Sequence, residues 1–192
     1  MDYSRLYSLS EDFGFKRAFR ASTEQGVFRE PFAVLGNEEK PTRAIRFDFH
    51  YSGGEIVHDL IWTGWLLPLV STRVLSTLRQ MNITGWTTYS VELYDKRGKP
   101  IPGYHGLAIT GRCGAIDRSR SRKVRHPIMP GTSPADFWQG LFFKDDRWDG
   151  SDIFLPEGTG HKFVTQRVKN ALESLKIPNI MFERLDVHET HI

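Results

Sequence analysis

Cysteine is nearly absent: Cys113 stands alone among 192 residues, so no internal disulfide can form. Long apolar runs are missing too. The longest, Leu66 to Val70 beside Trp62 and Trp65, falls far short of the roughly 20 residues that span a bilayer, which predicts core rather than membrane. The first residues, Met1 to Leu6, carry neither the basic start nor the apolar stretch of a secretory signal; with the lone cysteine they predict a cytoplasmic protein. Excess charge is small, 26 Lys and Arg against 23 Asp and Glu leaving +3. What is present is the composition of a water-soluble domain, 39% hydrophobic and 26% charged. A chain of this length buries about 70% of its unfolded surface without help from a metal or crosslink.

The phosphate-binding glycine patterns are also lacking. Gly158 and Gly160 precede a helical stretch but have no third glycine and no following Lys-Ser/Thr, so neither a dinucleotide loop nor a Walker loop is present. Of the catalytic candidates, Cys113 has Arg112 beside it to lower its pKa and Gly111 and Gly114 to expose the sulfur, yet no histidine is tied to it in sequence. The alternative is a half-buried residue at a strand end. The acidic group Asp145, Asp146, Asp149 and Asp152 fails as a calcium loop: with Asp145 first, Arg147 falls at position 3 and Pro156 at position 12, where oxygen ligands are required. A turn on Trp148-Asp-Gly-Ser151, its Asp side chains bonding backbone amides, is the expectation. His188 and His191 would point to opposite faces of a strand, and His161 reads as a solvated flank. No cofactor, no metal and no catalytic residue are therefore expected.

Periodicity gives an α+β class, with a mixed, mostly antiparallel sheet and two long amphipathic helices. Val70, Val74, Leu75, Leu78 and Met81 lie on one helical stripe capped by Ser71, and Val164, Val168, Ala171, Leu172 and Leu175 form a second over 163–176. Strands are expected at Phe32–Leu35, 45–49, 60–62, 87–93, 104–110, Leu141–Phe143, 153–155 and 180–187, with turns at 37–41, 52–54 and 95–98. Ser133-Pro-Ala-Asp136 reads as a short helix start. Residues 112–133 read as a long loop. Segment 1–30, with Tyr3, Tyr7, Phe13, Phe15, Phe19 and Phe28, has no clean period; 1–44 is taken as a β-prone N-terminal segment and 45–192 as the α+β domain.

Sliding the chain by 94 residues superposes Val70, Arg73, Val74, Leu78 and Ile83 on Val164, Arg167, Val168, Leu172 and Ile177, and Ser71 on Thr165. An apolar strand precedes each helix and a β-prone strand follows it. Each copy reads as a strand-helix-strand unit, through duplication or through the general likeness of amphipathic helices. Charge is local as well: residues 112–125 hold six cations and one Asp, a net +5 that exceeds the whole-chain excess. Arg118, Arg120, Arg122, Lys123 and Arg125 would complement an acidic protein surface or contact phosphates of nucleic acid or another phosphorylated ligand. The absence of interleaved aromatics weighs against nucleic acid.

The stretches Pro68 to Val74, Gly85 to Tyr94 and Gly103 to Gly114, and above all Trp148-Asp-Gly-Ser-Asp-Ile-Phe-Leu-Pro-Glu-Gly-Thr159 followed by Phe163 to Leu172, resemble an immunity-protein family of bacterial polymorphic toxin systems. This family was long catalogued as a domain of unknown function and was first described from a myxobacterial member. The likeness spans about residues 45 to 185. It implies a non-enzymatic protein that binds and neutralises a cognate toxin by covering its active site, and it assigns no catalytic residues. Trp148, Asp149 and Asp152 join the five cations as candidate partner-binding residues, with no membrane association and nucleic acid disfavoured.

Overall fold

A computed structural model describes residues 1–12, 14–15, 17–23, 31–63 and 67–191, with nothing said of the side chain of His191. Phe13, Phe28, Trp65 and Leu66 of the sequence reading lie outside it. In chain order the elements are β1 (Leu6–Glu11), β2 (Arg20–Ser22), α1 (Pro31–Leu35), β3 (Ile45–Phe49), β4 (Leu60–Thr63), β5 (Leu69–Ser71), α2 (Thr72–Gln80), β6 (Trp86–Tyr89), β7 (Val91–Tyr94) and β8 (Tyr104–Ile109). There follow β9 (Gly111–Cys113), β10 (Arg122–Pro127), β11 (Pro134–Gln139), β12 (Ile153–Pro156), β13 (Lys162–Thr165), α3 (Gln166–Ser174), β14 (Ile180–Arg184) and β15 (Glu189–His191). No helix among the described residues is long and apolar enough to cross a membrane.

The strands form a five-stranded sheet in the order β14-β1-β13-β12-β9, a seven-stranded sheet in the order β6-β8-β5-β4-β2-β3-β7 and a three-stranded sheet in the order β10-β11-β15. Pairing is antiparallel except at β9/β12, β2/β4 and β3/β7, so the α+β class with mixed, mostly antiparallel sheets holds. The two larger sheets run alike. β6-β8-β5-β4-β2 repeats the order and sense of β14-β1-β13-β12-β9, with the one parallel pair at the same end of each. In the five-stranded sheet the slot of β8 is taken by β1, from the far end of the chain.

The helices are shorter than their apolar periods predict. Val70 and Val164, each fully buried, belong to the strands leading in, and each helix has nine residues, beginning at positions 94 apart. Ser71 caps α2 as expected, its hydroxyl accepting the Val74 amide at 3.3 Å. Thr165 does not cap α3; its hydroxyl instead donates to Asp152 at 3.0 Å. Each helix is tied to the other's end. Arg73 donates to the carbonyl of Leu175 after α3, and Arg167 to the carbonyl of Met81 after α2, satisfying carbonyls that have no intrahelical partner.

Both faces of the five-stranded sheet are covered, which the alternation of its strands dictates. Tyr7, Leu9, Ile153, Leu155 and Val164 face the large core shared with α2, α3 and the seven-stranded sheet. Leu6, Phe154, Phe163 and Cys113 face a second core closed by Tyr3, Leu141, Phe143 and Leu185. Four buried rings, those of Tyr3, Phe143, Phe154 and Phe163, meet there at centroid separations of 5.2–6.0 Å.

Several local expectations fail for identifiable reasons. Phe32–Leu35 is helix α1, not a strand: Pro31 suits a first helical turn, and Asn37 follows in the left-handed region at φ 56. Ser133 to Asp136 does not start a helix. It enters β11, whose period-two alternation pairs with β10 from Pro127↔Pro134 to Arg122↔Gln139. Residues 112–133 are accordingly β9, a single 3-10 turn at Arg118–Arg120, and the first strand and tip of a hairpin. The span 87–93 breaks at Ser90 into two strands that go to different ends of one sheet. Leu141–Phe143 keeps only a bridge from Phe143 to Ile116, and the last predicted strand stops at Arg184.

Candidate functional site

The five candidate cations fall into two groups. Arg118 and Arg120 sit in the 3-10 turn and bind the body of the protein. Arg118 donates to the Thr190 hydroxyl at 2.8 Å, and Arg120 lies across the rings of Tyr3 and Phe142 while reaching Asp145 at 3.3 Å. Arg122, Lys123 and Arg125 stand on β10, an exposed strand at the edge of its sheet.

On β10 and β11 opposite residues share a face. Lys123, Arg125, Trp138 and Asp136 lie on one, with the Lys123 ammonium 5.0 Å from the Trp138 ring and Arg125 3.5 Å from Asp136. Arg122, His126, Phe137, Gln139 and Glu189 lie on the other. There His126 stacks flat on Phe137 at 4.4 Å and meets Glu189 at 2.6 Å. The Pro127 carbonyl and Glu189 both hold the His126 imidazole above its ordinary pKa. The tip between the strands is closed by Thr132, whose hydroxyl accepts from the Met129 amide and donates to the Met129 carbonyl. It leaves Ile128 59% and Met129 62% exposed. Sequence reasoning missed these two residues because it took the segment for a loop, although Pro130-Gly131 between two alternating runs is a hairpin signal.

The Trp148–Asp152 motif runs from an exposed turn at Asp149 and Gly150 into the buried Ser151 and Asp152. Asp149 accepts from Ser151 and from the amide of Arg112 on β9, the expected Asx-type turn. Burial opposes its ionisation, but those hydrogen bonds hold its carboxyl below the usual range. Ser151 is packed where a Cβ on Gly85 or Gly111 would collide with it or with the Ile153 carbonyl, so both glycines are required by close approach. Trp148 lies on Phe154 at 5.2 Å.

Asp152, only 5% exposed, accepts from the amide and hydroxyl of Thr84, the hydroxyl of Thr165 and the guanidinium of Arg167 at 3.0–3.2 Å. All of its hydrogen-bonding capacity is spent inside the fold. Asp59 occupies the matching place before β4, bonding Ser71 and Arg73 at 2.6 Å each.

Cys113 borders a 630 Å³ cleft with Arg112, Arg147, Glu157 and Thr159. Burial and the nearby Asp149 push its thiol up to about 12, which leaves it protonated and unreactive at neutral pH. Arg112 is turned to the carbonyls of Gly36, Ile109 and Gly111, so it does not activate the sulfur. His161 is not a solvated flank: burial, then neighbouring positive charge, depress it to about 4. Lys162 is 5% exposed and burial depresses it to about 8; its ammonium reaches the Gly160 carbonyl and the face of Trp62. Among the described residues no three His, Cys, Asp or Glu side chains gather as a metal ion requires.

Compared with known proteins, the chain matches the model of the Immunity protein family (Imm11) over residues 16–187. The match starts well before the residue 45 expected from the motifs and so adds β2 and α1. No curated protein matches the chain.

Proposed function

Since the chain belongs to the immunity protein family Imm11, we propose that it is the immunity partner of one cognate bacterial toxin of a polymorphic toxin system, which it binds and neutralises in the cytoplasm by occluding the toxin's active site. The family match over residues 16–187 carries this reading. The interior chemistry supports it: Cys113 is held as a thiol and the Asp149–Asp152 carboxylates are spent on internal hydrogen bonds, an arrangement suited to a stiff, inert platform. Of the candidate residues, Arg122, Lys123 and Arg125 face the partner; Arg118, Arg120, Trp148, Asp149 and Asp152 hold the platform together. The shared strand order of the two larger sheets and the 94-residue spacing of α2 and α3 support descent from a duplicated unit, with β1 completing the second copy and 1–44 part of the same platform.

The test is co-expression with the toxin domain encoded beside this chain's gene. Growth rescue together with co-purification is the expected result. Growth arrest despite soluble expression of both proteins refutes the reading.

A further inference from the structure

The hairpin contributes little to its own protein's interior. Every residue of β10 except half-buried Val124 is exposed, and among the described residues β10 pairs only with β11. Its two six-residue strands extend about 20 Å at the usual rise per residue and hold none of the buried hydrophobic residues of either core. Yet the hairpin is well ordered, internally by the His126–Phe137 stack, the Lys123–Trp138 contact and the Thr132 clasp, and against β15 by the His126–Glu189 contact. An element that is rigid but unnecessary to the core is suited to contact something else.

Two properties specify what it contacts. The tip carries the adjacent, well-exposed pair Ile128 and Met129; among the described residues the one large hydrophobic more exposed, Tyr51, has no such neighbour. The stem concentrates charge: residues 122–139 hold three cations against Asp136 alone, a net of +2 out of the whole chain's +3. Its local partners are weak ones, since Arg125 and Asp136 are both about two-thirds exposed and Arg122 bonds a neutral amide. Such pairs contribute little on a surface, and exchanging them for a partner's carboxylates has a small cost.

Resting on the proposed immunity function, we propose that the hairpin 122–139 is the limb that enters the toxin. Ile128 and Met129 seat in an apolar floor, and Arg122, Lys123 and Arg125 face acidic walls. Charge complementarity orients the approach, while the buried tip sets the lifetime of the complex. The paired apolar tip favours a protein cleft over nucleic acid, whose phosphate backbone offers Ile128 and Met129 no apolar surface to bury against. Three cations on the edge of β10 and a proline at its end discourage pairing with a second copy.

The experiment measures binding of the purified full-length protein to that same toxin domain at low and moderate salt, with circular dichroism confirming that each variant is folded. The tip variant I128D/M129D is expected to lose about 100-fold in affinity, chiefly through faster dissociation. The stem variant R122E/K123E/R125E is expected to associate about tenfold more slowly at low salt and with a flatter salt dependence. Tyr51→Asp should bind as the unmodified protein does. Hydrogen exchange on the unmodified complex, which needs no variant, should protect 122–139. Limb variants that bind within about threefold of the unmodified protein, or no protection of the limb in the complex, overturn this inference and leave the immunity function standing. Failure of the unmodified protein to bind or rescue overturns both. A steep salt-dependent shift of a 20-nucleotide RNA or duplex DNA, abolished by the stem variant while toxin binding persists, or a dimer that the stem variant dissociates, also overturns it.

Discussion

Asp152 belongs to the most distinctive motif in the chain, and replacing it by alanine separates a structural role from a binding one. Its carboxylate accepts from Thr84, Thr165 and Arg167, which lie after α2, before α3 and on α3. Hydrogen bonds to a charged group contribute about 1.5 kcal/mol or more each. Part of that returns when the donors rehydrate, because Arg167 is 57% exposed, and when a buried charge is removed. The net expected loss for Asp152→Ala is about 3 kcal/mol. Asp59→Ala breaks only the bonds to Ser71 and Arg73, at a carboxylate 23% exposed, and should cost about 1 kcal/mol. In urea, with a slope of about 2 kcal/mol per molar, the midpoints fall by about 1.5 M and 0.5 M; in heat, by about 9 °C and 3 °C. Below its melting temperature Asp152→Ala should still bind toxin. A loss under about 1 kcal/mol, or equal losses at the two sites, refutes the reasoning. So does a folded variant that has lost the partner.

The remaining predictions concern the buried base and the buried thiol. Lys162, depressed by burial to about 8, takes up fewer protons when folded than when unfolded over pH 8 to 10.5. Its penalty is therefore fully present at neutral pH, and stability rises with pH through that window. Lys162→Met should stabilise the protein by about 1–3 kcal/mol at pH 7 and remove this contribution to the slope; chemical denaturation at pH 7, 8 and 9 measures it, and an unchanged slope sinks the assignment. Cys113→Ala should cost about 1 kcal/mol for the small cavity and leave protection of toxin-expressing cells intact. Loss of protection by a stably folded variant would restore Cys113 as a reactive group.

The parts of this fold that sequence made legible are those whose signal is short-ranged and apolar. The stripe Val74, Leu75 and Leu78 is buried as its spacing requires, Ser71 caps its helix, and Asp95 closes the turn by accepting the amides of Arg97 and Lys99. Two kinds of information escaped. The first is a strand with no apolar face: every residue of Arg122–Pro127 except half-buried Val124 is exposed, so the segment reads as a loop, and the exposed tip it supports went unseen. The second is long-range pairing. Nothing near β1 says that it fills a slot between β13 and β14, and Arg73 finds the Leu175 carbonyl 102 residues away.

The candidate site was affected by both. Its cations were found by charge density, which cannot tell Arg120 laid over Tyr3 from Lys123 on an open strand. The Trp148–Asp152 motif was found as a turn, but the burial of Asp152 depends on α3 docking against the end of α2, a contact that no window of sequence contains. The motif thus holds two halves of the fold together. The surface that selects the toxin is then expected in residues that the core leaves unconstrained, such as Ile128 and Met129, whose side chains can change with the partner at little cost to the platform.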